Sequence, residues 1–355
     1  MKNINITFTF TDDEVRSIQE CILEEMIEQP LLTAVFGQIV TGVKNGKEIG
    51  FIKSDMGLML KSGAMGCGGA KDSTYSSIST SKKKWDLKPV HFYNEECEND
   101  TRNTFLDLAK NGGIDVYDMT GSEYYALLQS LLAKNLAKNV YVLAWFADTA
   151  TLNQTDGGKL KDGVDIKYFN PFDGLFKQLT AIYTANAARR VAITANAGAN
   201  YAAQDAITDA QCTAVFNDLL RKADPRLANA SDKIYISTRS LVQGYRWDMQ
   251  AKGTDTLMTK QIEGVEVPTA NGIPIIESGV WDEIIRAYFN DGTKYDSPHR
   301  AILTTKSQLA LAFQSNGAME DLDLFYDKYH AINVVRGEDQ IDAKALEDHM
   351  FQIAI

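Results

Sequence analysis

The hydrophobic positions of the chain follow helical spacing in some segments and strand-like spacing in others. The longest helical stripe starts at Thr120 and Glu123, a Thr-x-x-Glu pair typical of a helix start. Its apolar residues recur every three or four positions, at Tyr124, Leu127, Leu128, Leu131, Leu132 and Leu136. This spacing predicts a helix over residues 122–138, and the apolar run YVLAWFAD (141–148) predicts a buried strand directly after it.

The last third of the chain contains several strand-like runs in close succession. They are KIYIS (233–237), GIPII (272–276) and AILTT (301–305). A hairpin is predicted to turn at Asn271 and Gly272, because Asn-Gly accepts the positive φ angles of tight turns. The late runs AINVV (331–335) and FQIAI (351–355) predict that the chain ends in sheet.

Residues 61–84 are rich in Gly, Ser, Thr and Lys and contain few side chains that would anchor them in a core. A loop this long is uncommon in a compact domain and is usually functional. The apolar run IGFI (49–52) precedes it, and apolar positions resume at Trp85 and Leu87. We therefore predict that residues 61–84 are the tip of a long two-stranded projection.

Composition and charge narrow the class of protein. The 355 residues are 45% hydrophobic and 23% charged, typical of a soluble globular protein with more than one subdomain. The formal net charge of −11, from 36 Lys and Arg against 47 Asp and Glu, disfavours a general polyanion binder. No apolar run approaches the length of a membrane span, and no signal peptide is recognisable, so we expect a cytosolic protein without membrane contact.

No motif predicts catalysis, a cofactor or a metal site. The four cysteines, Cys21, Cys67, Cys97 and Cys212, are far apart and lack CxxC spacing. The four histidines form no HExxH motif, no GxSxG is present, and the glycines of residues 63–69 lack the Gly-Lys-Ser/Thr of a phosphate-binding loop. We therefore expect a protein that is not an enzyme.

The tryptophans and the basic residues are assigned to the core or to the surface from their neighbours in the sequence. The four tryptophans, Trp85, Trp145, Trp247 and Trp281, lie among apolar neighbours, which favours core packing over ligand stacking. The clearest basic positions are Lys82–Lys84 and Arg189–Arg190. They are typical of a solvated charged surface, with contact to DNA or to an acidic neighbour as the alternative.

The order of elements resembles that of the major capsid proteins of tailed bacteriophages, the Hong Kong 97 type. That order is a helical N-terminal arm, a projecting loop, a long helix, a mixed α/β region and a return to sheet. Matching residues are Gly272–Ile276, Trp281–Phe289, His299–Leu311 and Trp145–Asp148. Ala147 stands where relatives are expected to have Gly. The resemblance covers nearly the whole chain through diffuse packing patterns, and it extends to phages of Bacteroidetes hosts.

The resemblance implies an α+β fold of the Hong Kong 97 type in five parts. These are an N-terminal arm and helix (1–35), an extended loop region (36–95, tip about 61–84), a peripheral domain with a spine helix (96–150), an axial domain (151–300) and a return to the peripheral domain (301–355). The extended loop is expected to lie over the adjacent subunit, and the axial domains to meet at the centre of hexamers and pentamers.

It further implies a protein that self-assembles through hexamers and pentamers into an icosahedral shell around double-stranded DNA, without sequence-specific binding. Expected partners are further copies of the chain, a portal, and decoration or scaffold proteins; no cofactor is implied. The protein is expected in the virion after assembly in the host cytoplasm. Because a capped helix follows Met1 almost at once, we expect no large scaffolding prodomain.

Candidate residues for contacts between subunits are Lys61, Lys71, Lys82, Lys83, Lys84, Arg189 and Arg190. Some relatives crosslink a loop lysine to an asparagine, so these lysines are candidate donors, although no acceptor can be matched. Two alternatives stay open. One is an encapsulin-like bacterial nanocompartment shell, which shares the fold, and the other is a cytosolic α/β enzyme with an unfamiliar site.

Overall fold

A computed structural model describes residues 30–56, 76–97, 123–253, 260–262, 265–315, 323–327 and 332–355. Those residues form eight α-helices and fifteen β-strands in four sheets. The mixed helix-and-sheet class predicted from the sequence is confirmed. Residues 1–29 of the predicted N-terminal arm and residues 57–75 of the predicted loop lie outside the described residues.

The helices are α1 (Pro30–Thr33), α2 (Glu123–Phe146), α3 (Leu175–Ala185), α4 (Tyr201–Asp205), α5 (Asp209–Lys222), α6 (Pro225–Asn229), α7 (Arg239–Ala251) and α8 (Gly279–Tyr288). The strands are β1 (Gln38–Val40), β2 (Glu48–Met56), β3 (Ser76–Lys84), β4 (Lys88–Cys97), β5 (Arg190–Val191), β6 (Lys233–Ser237), β7 (Lys260–Ile262), β8 (Val265–Val267), β9 (Thr269–Ala270), β10 (Ile273–Glu277), β11 (Ala301–Thr305), β12 (Leu309–Phe313), β13 (Asp323–Asp327), β14 (Ile332–Ala345) and β15 (Gln352–Ala354).

The first sheet is built around β14, a 14-residue strand that pairs with three others. Antiparallel β4 pairs with it from Ile332 to Ile341, and antiparallel β13 from Ile332 to Arg336. Antiparallel β12 pairs with the remaining end of β14, and β1 adds to β12 in parallel. The predicted strand after residue 331 is therefore confirmed, although it continues ten residues beyond Val335.

The second sheet has the strand order β5, β15, β11, β6, β10, β9. Its central strands β6 and β11 run antiparallel, and β10 is parallel to β6. The predicted hairpin is confirmed: Asn271 and Gly272 connect β9 to β10 with φ angles of 53° and 76°. Strands β11 and β15 belong to this sheet whereas β12 and β14 belong to the first, so residue 300 does not separate the two sheets.

Alternate residues of the central strands enter different hydrophobic clusters. In β6, Ile234 and Ile236 join the largest core whereas Tyr235 joins a second cluster under α5 and α7. In β12, Leu309 and Leu311 join the largest core, and Ala310 joins a third cluster near Trp85. Both faces of these strands are buried, and such strands have a nearly continuous apolar sequence.

Helix α2 corrects one sequence-based expectation. Residues 141–146 continue the helix to Phe146 and do not form a separate strand. Val140, Tyr141, Val142, Ala144, Trp145 and Phe146 are all buried, and Leu143 is half-buried. Because the end of α2 is covered on nearly all sides, its sequence is apolar throughout and lacks the periodicity that distinguishes a helix from a strand.

The predicted loop tip also needs correction. Residues 76–84 are not loop but strand β3, which pairs with β2 over nine residues, from Glu48 with Lys84 to Met56 with Ser76. Its serines and lysines have low strand propensity, so the cross-strand pairing outweighs local preference here.

Helices α5 and α7 pack closely under the second sheet. A capping box of Thr208 and Gln211 starts α5. A Cβ atom at Gly244 of α7 would lie 2.5 Å from the Cys212 sulfur of α5. Burial raises the pKa of the Cys212 thiol to about 12, so this thiol acts as a small packing group and not as a nucleophile.

We expect Gly244→Ala to lower the free energy of unfolding by about 1–3 kcal/mol, because the methyl group would overlap the Cys212 sulfur. Chemical denaturation followed by circular dichroism measures the change. The control is Gly279→Ala at the start of α8, where a Cβ atom would meet nothing within 4 Å. Adding Cys212→Ala should restore part of the loss, and equal stability of the Gly244 and Gly279 variants would contradict this packing argument.

Candidate subunit-contact surfaces

Strands β2 and β3 form a separate two-stranded ribbon. Nine residues at about 3.3 Å each make a ribbon on the order of 30 Å long. Among the described residues no third strand pairs with either one. A lone two-stranded sheet is marginally stable in water, so this ribbon needs another surface to lie on.

The base of the ribbon is joined firmly to the first sheet. Trp85 and Leu87, which follow β3, are buried against Ala310 and Ala312 of β12. The Trp85 amide donates to the carbonyl of Lys47 at 3.1 Å, and the Gly46 amide donates to the Trp85 carbonyl at 2.9 Å. The core position predicted for Trp85 is confirmed, and the ribbon leaves the body in a defined direction.

The three lysines at the end of β3 have different partners. Lys82 donates to the Glu48 carboxylate at 2.6 Å, and Lys84 lies 3.6 Å from the same group. The hydrogen bond and charge of Lys82 lower the pKa of Glu48. Lys83 turns toward the body and donates to the Ala345 carbonyl at 2.7 Å and to Asp348 at 2.9 Å. Lys82 and Lys84 are thus the more exposed of the three lysines. Lys61 and Lys71 lie outside the described residues.

The adjacent arginines also differ. Arg189 donates to Asp224 at 2.8 Å and to the His349 carbonyl at 3.0 Å, and only 12% of its side chain is exposed. Burial acts to raise the pKa of Asp224, but the Arg226 amide and Arg189 together hold it below its ordinary value. Arg190 is exposed and lies 5.3 Å above the ring of Tyr183. Contact of either residue with another subunit stays a prediction.

Trp247 corrects the expectation that all four tryptophans are in the core. Trp145 and Trp281 are fully buried, but Trp247 is 57% exposed. Helix α7 buries Leu241, Val242 and Tyr245 on its inner face, and Trp247 lies outside that stripe. The helical spacing of the stripe was the signal that would have placed Trp247 on the surface.

Helix α8 supplies the acceptor at the start of α7. The Asp282 carboxylate accepts a hydrogen bond from the Arg239 amide at 2.8 Å. Burial raises the pKa of Asp282 to about 6, against the opposing effects of the Arg239 amide and Arg286, and Glu277 adds to the rise. Sequence patterns did not single out this residue, since its partner lies 43 positions away.

A buried polar group next to the start of α7 was also not anticipated. The Ser240 hydroxyl lies 2.7 Å from His299 Nδ1, and His299 Nε2 lies 2.9 Å from the Gln204 carbonyl. A carbonyl only accepts, so Nε2 carries the hydrogen and Nδ1 accepts from Ser240. Burial lowers the pKa of His299, which favours the neutral ring. His299 is only 1% exposed. Its hydrogen bonds with Ser240 and Gln204 connect α7, the segment before β11 and the segment near Gln204.

Within the described parts of the chain, no group of three or more His, Cys, Asp or Glu side chains is placed to hold a metal ion. No helix in the same residues is long and apolar enough to cross a membrane.

Comparison with known proteins gives structural similarity only. No protein-family model and no curated protein matches the sequence. A chain of the satellite phage P4 procapsid is 12% identical, with a TM-score of 0.49, and the match covers 94% of this chain and 97% of that one. A chain of the cyanophage P-SCSP1u capsid is 14% identical, with a TM-score of 0.47 and coverage of 89% and 85%.

A third similar structure is the encapsulin SrpI complex of Synechococcus elongatus, at 10% identity, TM-score 0.45 and coverage of 92% and 87%. These neighbours give no support to a Bacteroidetes host. Similarity at these identities and TM-scores concerns the fold and does not assign a function to this chain.

The two arginines should respond differently to substitution. Arg189→Met removes two hydrogen bonds and leaves Asp224 without its cation, so we expect a loss of about 1.5–3 kcal/mol in the free energy of unfolding. Arg190→Met loses only an exposed ring contact, and we expect a change below about 1 kcal/mol. Urea denaturation of the two variants measures the free energy of unfolding. Equal losses would contradict the stabilising role assigned to the hydrogen bonds of Arg189.

Asp282 should make stability depend on pH. Its folded pKa of about 6 lies above the ordinary value of 3.8, so the folded state holds the proton more tightly. The free energy of unfolding should therefore fall as pH rises from about 4 to 6. Asp282→Asn keeps an acceptor for the Arg239 amide and should remove this part of the slope, whereas Glu283→Gln should retain it. Denaturation curves across pH 4–7 provide the measurement, and an unchanged slope in Asp282→Asn would refute the prediction.

Proposed function

We propose that this chain is the major capsid protein of a tailed bacteriophage, a subunit of the closed shell around the phage DNA. Copies of the chain would associate as hexamers and pentamers and close into an icosahedral shell. The protein would act in the virion, after assembly in the host cytoplasm. Its role is structural and requires neither catalysis nor a cofactor.

The observation that carries this proposal is the β2–β3 ribbon. It extends from a well-packed base at Trp85, yet it is paired with no further strand among the described residues. Since a lone ribbon gains little stability by itself, a neighbouring subunit is the surface that would stabilise it. Repeated contacts of this kind between unlike surfaces, related by rotation, close into rings.

The remaining architecture supports the same role. Helix α2 is 24 residues long and contacts α1, α3 and α8, as a spine helix would. The first sheet supplies a rigid peripheral body, and the second sheet with α5 and α7 supplies the part expected at the capsomer centre. In this assignment β11 and β15, which follow residue 300, belong with the second sheet and not with the peripheral body.

The proposal also includes contacts with DNA and with other virion proteins. The net charge of −11 argues against a strongly basic inner surface. DNA would therefore be enclosed without sequence-specific binding. A portal and decoration or scaffold proteins would be the further partners.

Microscopy of the purified full-length protein tests the proposal. We expect capsomers or closed shells by negative-stain electron microscopy, with nucleic acid inside particles taken from infected or induced cells. Protein that stays monomeric under all assembly conditions would exclude a shell subunit. Shells that contain a cargo enzyme and no DNA would instead indicate an encapsulin-like compartment.

A ribbon variant sharpens this test. Replacing residues 50–82 by Asn-Gly keeps the pairs Glu48 with Lys84 and Ile49 with Lys83 and closes them with a two-residue turn. The body should retain its circular dichroism spectrum and melting temperature, while shells should be lost. A companion variant with Asn-Gly in place of residues 57–75 keeps all nine β2–β3 pairs. It therefore distinguishes the contribution of the paired strands from that of residues 57–75. Normal shells without the ribbon would contradict its proposed role.

A further inference from the structure

The turn between β9 and β10 presents an Asn-Gly pair to solvent. Asn271 and Gly272 are both exposed, with φ angles of 53° and 76°. The flanking residues Ala270 and Ile273 are buried and pair with each other. The exposed tip is therefore two residues long and stands on a well-packed base.

Asn-Gly pairs have a specific chemical reactivity. The amide nitrogen of the glycine attacks the side-chain Cγ atom of the asparagine, and ammonia leaves as a five-membered succinimide ring closes. Water then opens the ring at either of its two carbonyl groups and gives aspartate or isoaspartate. Glycine has no side chain to hinder ring closure. The sequence contains four such pairs, and those at 45–46 and 271–272 lie among the described residues.

The Gly272 amide is free to act as the nucleophile. Within the described part of the chain it donates no hydrogen bond. A Cβ atom placed on Gly272 would meet nothing within 4 Å, so the surroundings of this residue are open to water. The Asn271 side chain makes an exposed hydrogen bond, from Nδ2 to Asn217 Oδ1 at 3.0 Å, and a bond of this kind contributes little stability.

The short pairing beside the tip allows the backbone to open locally. Strand β9 has two residues, and its register with β10 consists of two pairs, Ala270 with Ile273 and Thr269 with Pro274. Opening of the tip therefore breaks few hydrogen bonds, and the buried side chains of the two strands can stay in place. Such a movement would let the Gly272 nitrogen approach the Asn271 side chain.

Asn45 and Gly46 form the same pair in a protected setting. Both residues are exposed, and the φ angle of Gly46 is also positive, at 82°. The Gly46 amide, however, donates to the Trp85 carbonyl at 2.9 Å, and the Asn45 side chain donates to the Leu87 carbonyl at 3.4 Å. Trp85 and Leu87 are buried at the base of the ribbon. The nucleophile at this pair is thus held by a well-packed part of the fold.

We propose that Asn271 is a site of spontaneous deamidation, whereas the fold protects Asn45. The reaction makes the formal net charge of −11 more negative by one. Aspartate at position 271 would keep the turn, because Asp-Gly accepts the same φ angles. Isoaspartate adds a methylene group to the backbone and would disturb the pairing of Ala270 with Ile273. The modification requires only water and is independent of the proposed shell function.

Peptide mass spectrometry of the aged full-length protein tests the inference. The protein is incubated at mildly alkaline pH, where amide nitrogens lose their proton more readily, and deamidation at positions 45 and 271 is followed over time. A parallel sample in urea gives the rate of each site in the unfolded chain and so corrects for the different neighbours of the two pairs. We expect the folded-to-unfolded ratio of rates to be at least about fivefold higher at Asn271 than at Asn45, because the Gly46 hydrogen bond must first break.

The matched control is Asn271→Asp, which has no side-chain amide to lose. It should retain the circular dichroism spectrum of the unmodified protein, and its peptide should show no mass increase at position 271. A folded-to-unfolded ratio at Asn271 that does not exceed the ratio at Asn45 would overturn the proposal.

Hydrogen exchange separates the two products. Peptides that cover residues 265–277 should exchange faster in the isoaspartate fraction of the aged protein than in Asn271→Asp, because only isoaspartate lengthens the backbone of the turn. Equal exchange in these two samples would overturn the effect proposed for isoaspartate on the β9–β10 pairing.

Discussion

The packing of aromatic rings around Trp145 is the interaction on which the rest of the structure depends. Trp145 is fully buried near the end of α2, with its ring centroid 4.6 Å from that of Trp281 on α8 and 5.1 Å from that of Phe176 on α3. The same core includes Ile236 and Ile302 of the second sheet and Leu311 of the first. Three helices and the two large sheets therefore share one continuous core, which fixes both of these sheets relative to α2.

This shared core determines how the surfaces of the molecule are placed. The β2–β3 ribbon leaves the body at Trp85, which packs on the reverse side of β12, and β4 follows the ribbon after three residues. Because β12 and β4 both pair with β14, the ribbon and β4 keep a fixed relation to each other. Repeated assembly needs this kind of rigidity, since small errors in direction accumulate around a ring.

Buried polar groups also contribute to the rigidity of the molecule. The Arg300 guanidinium is almost completely buried, 4.5 Å from the centroid of the Phe176 ring, and donates to the carbonyls of Ser297 and Asp296. Burial lowers its pKa, and Asp296 partly offsets this effect. A charge in this position is costly unless its hydrogen bonds are satisfied. The bonds of Arg300 and His299 therefore hold the segment before β11 in one conformation against α3 and α7.

Sequence by itself determined those features whose causes are local. The Thr208 capping box, the Asn271–Gly272 turn and the stripe in the first part of α2 depend on neighbouring residues, and each was predictable. The α+β class followed from the mixture of such signals.

Tertiary structure decided the features whose causes are distant in sequence. Residues 141–146 are helical because of the core around them, since an apolar run buried on all sides has no readable period. Residues 76–84 form a strand because β2 pairs with them. Lys83 donates to Asp348 and Arg189 donates to Asp224, whereas Lys82 and Arg190 are exposed. Adjacent residues of one type have the same sequence context, and only the fold brings the distant partner to one of them.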